Sequence, residues 1–179
     1  MKDDRVDLWS LDEVHFQQHG SACRMWIPPD VKDPVLLHHP TRKSVGYFGA
    51  VRLRDGKFVW AREAGRFDAT SFWSFLQRLR QRACHANRRV IVILDNAGFH
   101  HAALHAEWRR LCQRRFRVDF LPPYSPDLNP IERIWKLVRR LRLHNRYFRT
   151  LDEVTLTVDQ QFDSWGHSSS ILRRLCAII

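Results

Sequence analysis

Three acidic residues stand at the predicted ends of strands and helices, where side chains from separate elements can converge. Asp12 follows an alternating apolar segment, Asp95 ends the aliphatic run in VILDNAGFH, and Glu132 lies in the first turn of the helix that begins NPIERIW. Carboxylates gathered in one place repel one another unless a cation neutralises them, and oxygen ligands favour Mg²⁺ or Mn²⁺ over zinc. Two such ions about 3.5–4 Å apart can activate a water or a 3′-hydroxyl and stabilise the leaving oxygen of a phosphodiester. The three residues therefore predict phosphoryl-transfer chemistry.

Two of these residues also have a structural interpretation. Asn129 and Pro130 stand where the N-cap and the first residue of a helix would, so Glu132 fits the third position of a capping box. Lys136, one turn further on, could pair with Glu132. Asp95 begins an Asp-Asn pair, which is common in turns after strands. On position alone, capping is favoured over catalysis for Glu132.

The N-terminal half of the sequence predicts antiparallel strands. Val6–Leu11 alternates and predicts a first strand that ends at Asp12 and Glu13, and Cys23–Ile27 predicts a second strand stopped by two prolines. The segment VGYFGAVRL-RDG-KFVWAR has an Asp55-Gly56 pair between two alternating runs, which favours a hairpin with a tight primed turn. If the first strand continues, Glu13 points to the opposite face from Asp12, and we interpret it as non-ligating.

The C-terminal half predicts alternating helices and strands. Its elements are a helix capped by Thr70 or Ser71 and running to Cys84, a buried strand over Arg89–Leu94, a helix over His101–Arg115, a strand over Arg117–Leu121, a helix from Asn129 to about Leu143, and a last helix over Leu151–Trp165. After the antiparallel strands of the N-terminal half, this order predicts an α/β fold with a mixed five-stranded sheet flanked by helices, in a single domain over residues 1–179. In such a sheet the first strand and the strand before Asp95 can be neighbours, which would bring Asp12 beside Asp95 and let Glu132 approach from a helix across that edge.

The charge of the chain indicates a polyanionic partner. Lysine and arginine number 30 against 19 aspartates and glutamates, which gives a formal net charge of +11 and a pI near 10.4. Arginine supplies 25 of the 30 cations, and its planar fork binds phosphate through two hydrogen bonds. Nucleic acid is therefore the predicted partner. The alternative is a solvated basic surface that serves only solubility.

Cysteine spacing and the lack of long apolar segments indicate the compartment. The four cysteines lie far apart without a CxxC pair, which excludes a zinc ribbon and disfavours a disulfide framework. The N-terminus lacks the apolar core of a signal peptide, and the longest aliphatic run, Val90–Leu94, is far shorter than the roughly 20 residues of a membrane span. These features predict a cytoplasmic, nucleoid-associated protein with no membrane partner.

Three motifs resemble one known family, the DDE-type transposases. LDNAGFHHA at 94–102 and LPPYSPDLNPIERIWKLVRR at 121–140 closely resemble its bacterial insertion-sequence branch, which is related to the mariner-like elements. SLDEVHFQQHG at 10–20 resembles the family's first catalytic segment, in which an Asp-Glu pair closes the first strand. The likeness extends over essentially the whole chain, and outside these motifs it is a likeness of pattern.

The resemblance implies a ribonuclease H-like fold and a site in which Asp12, Asp95 and Glu132 hold two Mg²⁺ ions, with Mn²⁺ as a substitute. Thirty-six residues lie between Asp95 and Glu132, close to the usual spacing of the family. The implied reaction begins when water cleaves the phosphodiester at an element end, and the freed 3′-hydroxyl then attacks target DNA in the same site. A TA-containing target and a homodimer or larger assembly on paired ends are also implied.

Full-length relatives differ by carrying helix-turn-helix DNA-binding modules before the catalytic domain, whereas the first predicted strand here starts almost at Met1. We therefore expect no such module in this chain, which suits the second reading frame of a two-frame element or a truncated remnant. A separate helix-turn-helix protein would then recognise the element ends. By itself the chain is expected to bind DNA mainly through phosphates.

Candidate DNA contacts follow two of the carboxylates. A basic run after Glu132 could guide DNA toward the metals; its members are Arg133, Lys136, Arg139 and Arg140. His100, five residues after Asp95, is a candidate contact to the substrate, and packing at the start of a helix is an equal alternative. Two other functions compete with DNA transposition: a nuclease on the same fold that hydrolyses without joining, and a decayed fragment that binds DNA or a partner protein.

Overall fold

A mixed sheet of five strands carries the fold, with helices packed on both of its faces. The computed structural model describes residues 5–19, 21–24, 26–30, 37, 40–84, 88–123 and 125–177. The strands, in the spatial order β3-β2-β1-β4-β5, are β1 (Val6–Gln17), β2 (Ser44–Arg52), β3 (Phe58–Glu63), β4 (Arg89–Leu94) and β5 (Phe116–Phe120). β1, β2 and β3 pair antiparallel, β4 lies parallel to β1, and β5 lies parallel to β4. The predicted α/β fold and the pairing of the first strand with the strand before Asp95 are confirmed.

The α-helices of the described residues are α1 (Ala69–Ala83), α2 (Ala106–Cys112), α3 (Glu132–Val138), α4 (Leu151–Asp163) and α5 (Ser170–Leu175). A π-helical turn over Arg139–Leu143 extends α3. Side chains alternate along β1, so Trp9 and Leu11 pack against α1 on one face, while Val14 and Phe16 join the core beneath α3 and α4 on the other. The sheet therefore separates two apolar cores, and residues of β1 reach both.

β1 is longer than its sequence pattern predicted. The strand continues past Leu11 to Gln17, so Asp12 lies inside it and not just beyond its end. Antiparallel pairing with β2 holds this more polar stretch in the sheet as far as Gln17 opposite Ser44. The strand predicted over Cys23–Ile27 is wrong, because residues 22–24 and 26–28 have no strand geometry, and residue 25 lies outside the described residues.

The predicted β2–β3 hairpin is confirmed, but its turn is not a primed one. The Arg52 N–H donates to the Lys57 carbonyl at 2.8 Å, and this hydrogen bond closes a loop of four residues, 53–56. Gly56 has a φ of 73°, whereas Asp55 is not among the residues with positive φ. Both primed turns, types I′ and II′, need positive φ at the first central residue, which here would be Asp55. Asp55 instead uses its carboxylate to accept from the Arg52 Nε at 2.8 Å and the Lys57 N–H at 3.2 Å.

Several helix boundaries differ from the prediction because local caps and turns were misassigned. Asp68 caps α1, since its side chain accepts from the N–H groups of Thr70 and Ser71 at 2.9 Å and 2.8 Å. The long helix predicted over His101–Arg115 consists of 3₁₀ turns followed by the seven residues of α2. The last predicted helix ends at Asp163, and α5 was not predicted.

The described residues contain four free cysteines and no helix with the length and apolarity needed to cross a bilayer.

Candidate active site

A pocket of about 530 Å³ lies where β1, the end of β4 and the start of α3 meet. Asp12, Asp95 and Glu132 all line it. The structure thus brings together the three carboxylates that the sequence singled out, although they are far apart along the chain. Three different elements supply them, so the pocket depends on the packing of α3 across the sheet.

Asp12 is held inside β1, directly opposite Gly49 of β2. It is buried, and its Oδ2 accepts a hydrogen bond of 2.9 Å from the indole Nε1 of Trp135. Burial, followed by the negative charges of Glu13 and Glu132, raises the pKa of Asp12 from 3.8 to about 8, although the Trp135 hydrogen bond acts against this shift. Ionised Asp12 is therefore unfavourable in this position unless a cation accompanies it.

Asp95 reaches the pocket from the strand next to β1. Ser10 lies opposite Ile93 in the parallel pairing of β1 with β4, so Asp12 and Asp95, each two residues further on, stand at the same level. The side chain of Asp95 is 53% exposed, and its Oδ1 accepts from the backbone N–H of Ala97 at 3.1 Å. The two aspartates are thus neighbours across adjacent strands.

Glu132 begins α3, and the loop before it is tied to β1. The side chain of Asn129 donates from Nδ2 to the Leu11 carbonyl at 3.1 Å and accepts from the Ser10 hydroxyl. The same hydroxyl oxygen accepts from the N–H of Ile131 at 3.1 Å. The predicted capping box is wrong, because Ile131 is the N-cap and the Asn129 side chain bonds to β1 and not to the helix. This buried network fixes the third carboxylate relative to the first.

Loss of the Asn129 amide should loosen that loop. Asn129→Ala leaves the Leu11 carbonyl and the Ser10 hydroxyl without their buried partner, and we expect the free energy of unfolding to fall by about 2 kcal/mol. Urea unfolding beside Gln77→Ala, which changes an exposed residue of α1, measures the loss. Equal stability of the two variants would show that the network does not hold the loop.

Two of the basic residues after Glu132, Arg133 and Arg139, make contacts within the protein. Arg133 donates from Nη1 to two backbone carbonyls at the end of α5, at 3.0 Å and 3.2 Å, and so ties α3 to α5. The guanidinium of Arg139 lies 5.4 Å from the centre of the Phe16 ring of β1. Lys136 and Arg140 are exposed. Arg133 is exposed as well, but its Nη1 is bound by the two carbonyls at the end of α5.

His100 lies behind Asp95, in the core between the sheet and α1. Its side chain is fully buried, and its ring centre is 4.3 Å from that of Phe72. Nδ1 lies 3.0 Å from the Asp95 Oδ1, and Nε2 lies 2.9 Å from the Glu13 Oε1. His100 therefore packs in the core, which was the alternative to a contact with the substrate. A side chain that is fully buried in this way does not contact DNA.

The sequence did not predict the contact between Glu13 and His100. Glu13 was expected on the opposite face of β1 from Asp12, and it lies there, on the side of α1. Ligand atoms of Glu13, Asp95 and His100 all lie within 4.8 Å of one another. Two features of the sequence bear on this contact: the alternation of side chains along β1 and the five-residue spacing from Asp95 to His100. They predict a contact only when the pairing of β1 with β4 is known.

The donor set of the pocket suits a hard divalent cation. Three carboxylates line one pocket, and oxygen ligands of this kind are those that Mg²⁺ and Mn²⁺ prefer. The raised pKa of Asp12 agrees with this assignment, because a cation would offset both the burial and the repulsion that oppose its ionisation. The residues present therefore fit a metal site.

Residues 7–155 match the family model of the DDE superfamily endonucleases. The chain belongs to this family. The matched segment is more than half of the chain and runs from β1 into α4, so it contains all three carboxylates of the pocket.

Known proteins resemble this DDE superfamily member in sequence and in fold. Over 65 residues the chain is 35% identical to the uncharacterised protein y4pE/y4sA of Sinorhizobium fredii (strain NBRC 101917 / NGR234), a stretch that covers 36% of this chain and 44% of that protein.

Two solved structures match 96% of the chain: the Mos1 transposase paired-end complex with left transposon end (TM-score 0.66, 16% identity) and the Mos1 mariner paired end complex with Mn (TM-score 0.67, 18% identity). In each case 51% of the neighbour's chain is covered, so this chain spans about half their length. The fold is the ribonuclease H-like fold of transposase catalytic domains.

Proposed function

We propose that the chain is a transposase catalytic domain that cleaves DNA strands and transfers the freed 3′ ends into target DNA. Asp12, Asp95 and Glu132 would hold two Mg²⁺ ions, replaceable by Mn²⁺. The observation that carries the proposal is that these carboxylates, from three elements, line one pocket in a member of the DDE superfamily endonucleases. Mn in a structural neighbour supports the choice of metal.

The chain's own contribution to this chemistry is the orientation of its carboxylates. Bound ions would stabilise charge on the attacking and leaving oxygens of the phosphodiester. Asp12 is oriented by the indole of Trp135, Asp95 by a backbone N–H, and Glu132 by the loop that Asn129 ties to β1. Ligands that are set before the substrate arrives need little reorganisation during the reaction.

DNA is the proposed substrate of this site. The net charge of +11 favours a polyanion, and a transposon end is bound in one structural neighbour. Both neighbours are paired-end complexes, which supports an assembly of at least two copies on DNA. Recognition of element ends by a helix-turn-helix partner stays a prediction.

Lys136 provides a test of the proposed DNA path. Lys136→Gln should weaken binding to a non-specific duplex and lower the slope of log affinity against log salt by about one, because one phosphate contact is lost. Arg78→Gln is the matched control, since Arg78 is exposed on α1, on the opposite face of the sheet, and its loss removes the same charge. Fluorescence anisotropy across a salt series measures both. Equal slopes for the two variants would exclude Lys136 from the DNA path.

A joining assay separates a transposase from a nuclease that only hydrolyses. Labelled duplexes with exposed 3′-hydroxyl ends are incubated with supercoiled plasmid, Mn²⁺ and either wild type or Glu132→Gln. We expect label joined to plasmid with the wild type and none with the variant. Plasmid that is cut without joined label would overturn strand transfer and favour the hydrolytic nuclease. Absence of any DNA product would contradict catalysis by this chain.

A further inference from the structure

Asp95 is the exposed aspartate of the pocket, and the sheet does not fix its side chain. It follows the last residue of β4, so it stands outside the strand ladder. Two contacts orient its carboxylate: the N–H of Ala97 donates to Oδ1 at 3.1 Å, and the Nδ1 of His100 lies 3.0 Å from Oδ1, while the same Nδ1 lies 3.2 Å from the backbone carbonyl of Asp95. Both are made to Oδ1, and the second oxygen is left for a ligand in the pocket.

The ring of His100 is itself held from three sides. Phe72 of α1 and the neighbouring Phe99 pack against it, with ring centres at 4.3 Å and 4.4 Å. Glu13 of β1 faces its Nε2 at 2.9 Å, and only 9% of the Glu13 side chain is exposed. Residues of α1 and β1 therefore fix the ring together with Phe99, which belongs to the same segment after Asp95 as His100 does.

We infer that His100 is a positioning residue for Asp95, and that Glu13 holds the ring in the orientation that this requires. The inference rests on the proposed function, in which Asp95 is a metal ligand. A matching contact exists on the other face of the sheet, where the indole of Trp135 orients Asp12. The two aspartates are thus each oriented by an aromatic ring nitrogen, from opposite sides of β1. Groups that orient a ligand in this way commonly change metal affinity 10- to 100-fold.

Two substitutions of His100 test the contact, because each keeps one ring nitrogen. His100→Asn keeps a nitrogen near the place of Nδ1, which faces Asp95, whereas His100→Gln keeps one near the place of Nε2, which faces Glu13. We expect His100→Asn to bind Mn²⁺ within about threefold of wild type and His100→Gln to bind about tenfold more weakly. The readout is the electron paramagnetic resonance signal of free Mn²⁺ during titration, without DNA. Thermal unfolding of both variants measures the structural loss separately.

A second pair of variants keeps the test open if His100→Gln does not fold. Glu13→Gln retains an oxygen that can accept from the ring, and Glu13→Ala does not. Both variants lose the Glu13 charge, so its effect on the pKa of Asp12 cancels when the two are compared. We expect the alanine variant to bind Mn²⁺ several-fold more weakly than the glutamine variant while the ring remains in the core.

The outcomes separate this inference from the proposed function. If wild type binds Mn²⁺ and Asp95→Asn does not, but the paired variants at His100 and at Glu13 show equal affinities, the positioning role is overturned and the metal site stands. If Asp95→Asn binds Mn²⁺ as wild type does, both the metal site and the positioning role fail. Weaker binding by His100→Gln than by His100→Asn, at similar thermal stability, supports the inference.

Discussion

Mn²⁺ should bind the wild-type chain about 50-fold more tightly at pH 8 than at pH 6, in the absence of DNA. Asp12 must lose its proton before it can act as a ligand, and burial beside Glu13 and Glu132 raises its pKa to about 8. Below that pH, its ionised fraction falls about tenfold for each pH unit, and the apparent affinity should fall with it. Calorimetry at both pH values measures the affinity, and at pH 7 it should also show the release of nearly one proton. Equal affinities at pH 6 and pH 8 would rule out Asp12 as a ligand that must first ionise.

The same pKa shift should make the metal-free protein less stable as the pH rises. The pKa of Asp12 is near 3.8 in the unfolded chain and about 8 in the folded one, so the folded state binds the extra proton between these values. The resulting stabilisation is complete below pH 3.8 and is lost as the pH rises to about 8. Asp12→Asn lacks this titration. Urea unfolding in chelator should therefore show wild type losing stability relative to Asp12→Asn from pH 5 to pH 8, and a constant difference would refute the shift.

Gly49→Ala should be among the most damaging small substitutions in the chain. A Cβ at Gly49 would lie 2.3 Å from the Cη2 atom of Trp135, far inside van der Waals contact. The same indole donates the hydrogen bond that orients Asp12, which stands opposite Gly49 in the β1–β2 pairing. We expect a loss of about 3 kcal/mol in the free energy of unfolding, because the core cannot take up the displaced ring without strain. The displacement should also remove the indole from Asp12.

Gly98→Ala is the matched control for this substitution. A Cβ at Gly98 would meet no atom within 4 Å, so the change should be nearly neutral for stability. Urea unfolding of the two variants measures the energetic loss. Equal stability of Gly49→Ala and Gly98→Ala would mean that Trp135 does not pack against β2 as described.

Strong local patterns allowed much of the fold to be predicted. The aliphatic run before Asp95 is β4, and the Asp55-Gly56 signal marks the β2–β3 hairpin. The extent of β1 was not predictable locally, because pairing with β2, and not apolar alternation alone, carries the strand through Asp12 to Gln17. Asn129 illustrates the same limit: its sequence position fits an N-cap, but its side chain bonds to Ser10 and Leu11, more than a hundred residues away.

The three pocket carboxylates could be identified from motifs, whereas their supports could not. Trp135 fits a core position of a helix, and only the packing of α3 across β1 shows that its Nε1 reaches Asp12. Glu13 was set aside because it faces away from Asp12, and that orientation is what brings it to His100. Contacts of this kind join residues on different strands and become visible once the sheet order is known.

Nicking of supercoiled plasmid in Mn²⁺ at low salt, by wild type, Asp95→Asn and Asp127→Asn, is the most direct test of the carboxylate metal site. Both substitutions remove one charge and keep the side chain's shape, but Asp95 lines the pocket and Asp127 is exposed outside it. We predict chelator-sensitive nicking by wild type and by Asp127→Asn, and none by Asp95→Asn. Equal nicking by all three proteins, or none by wild type, would contradict catalysis at this pocket.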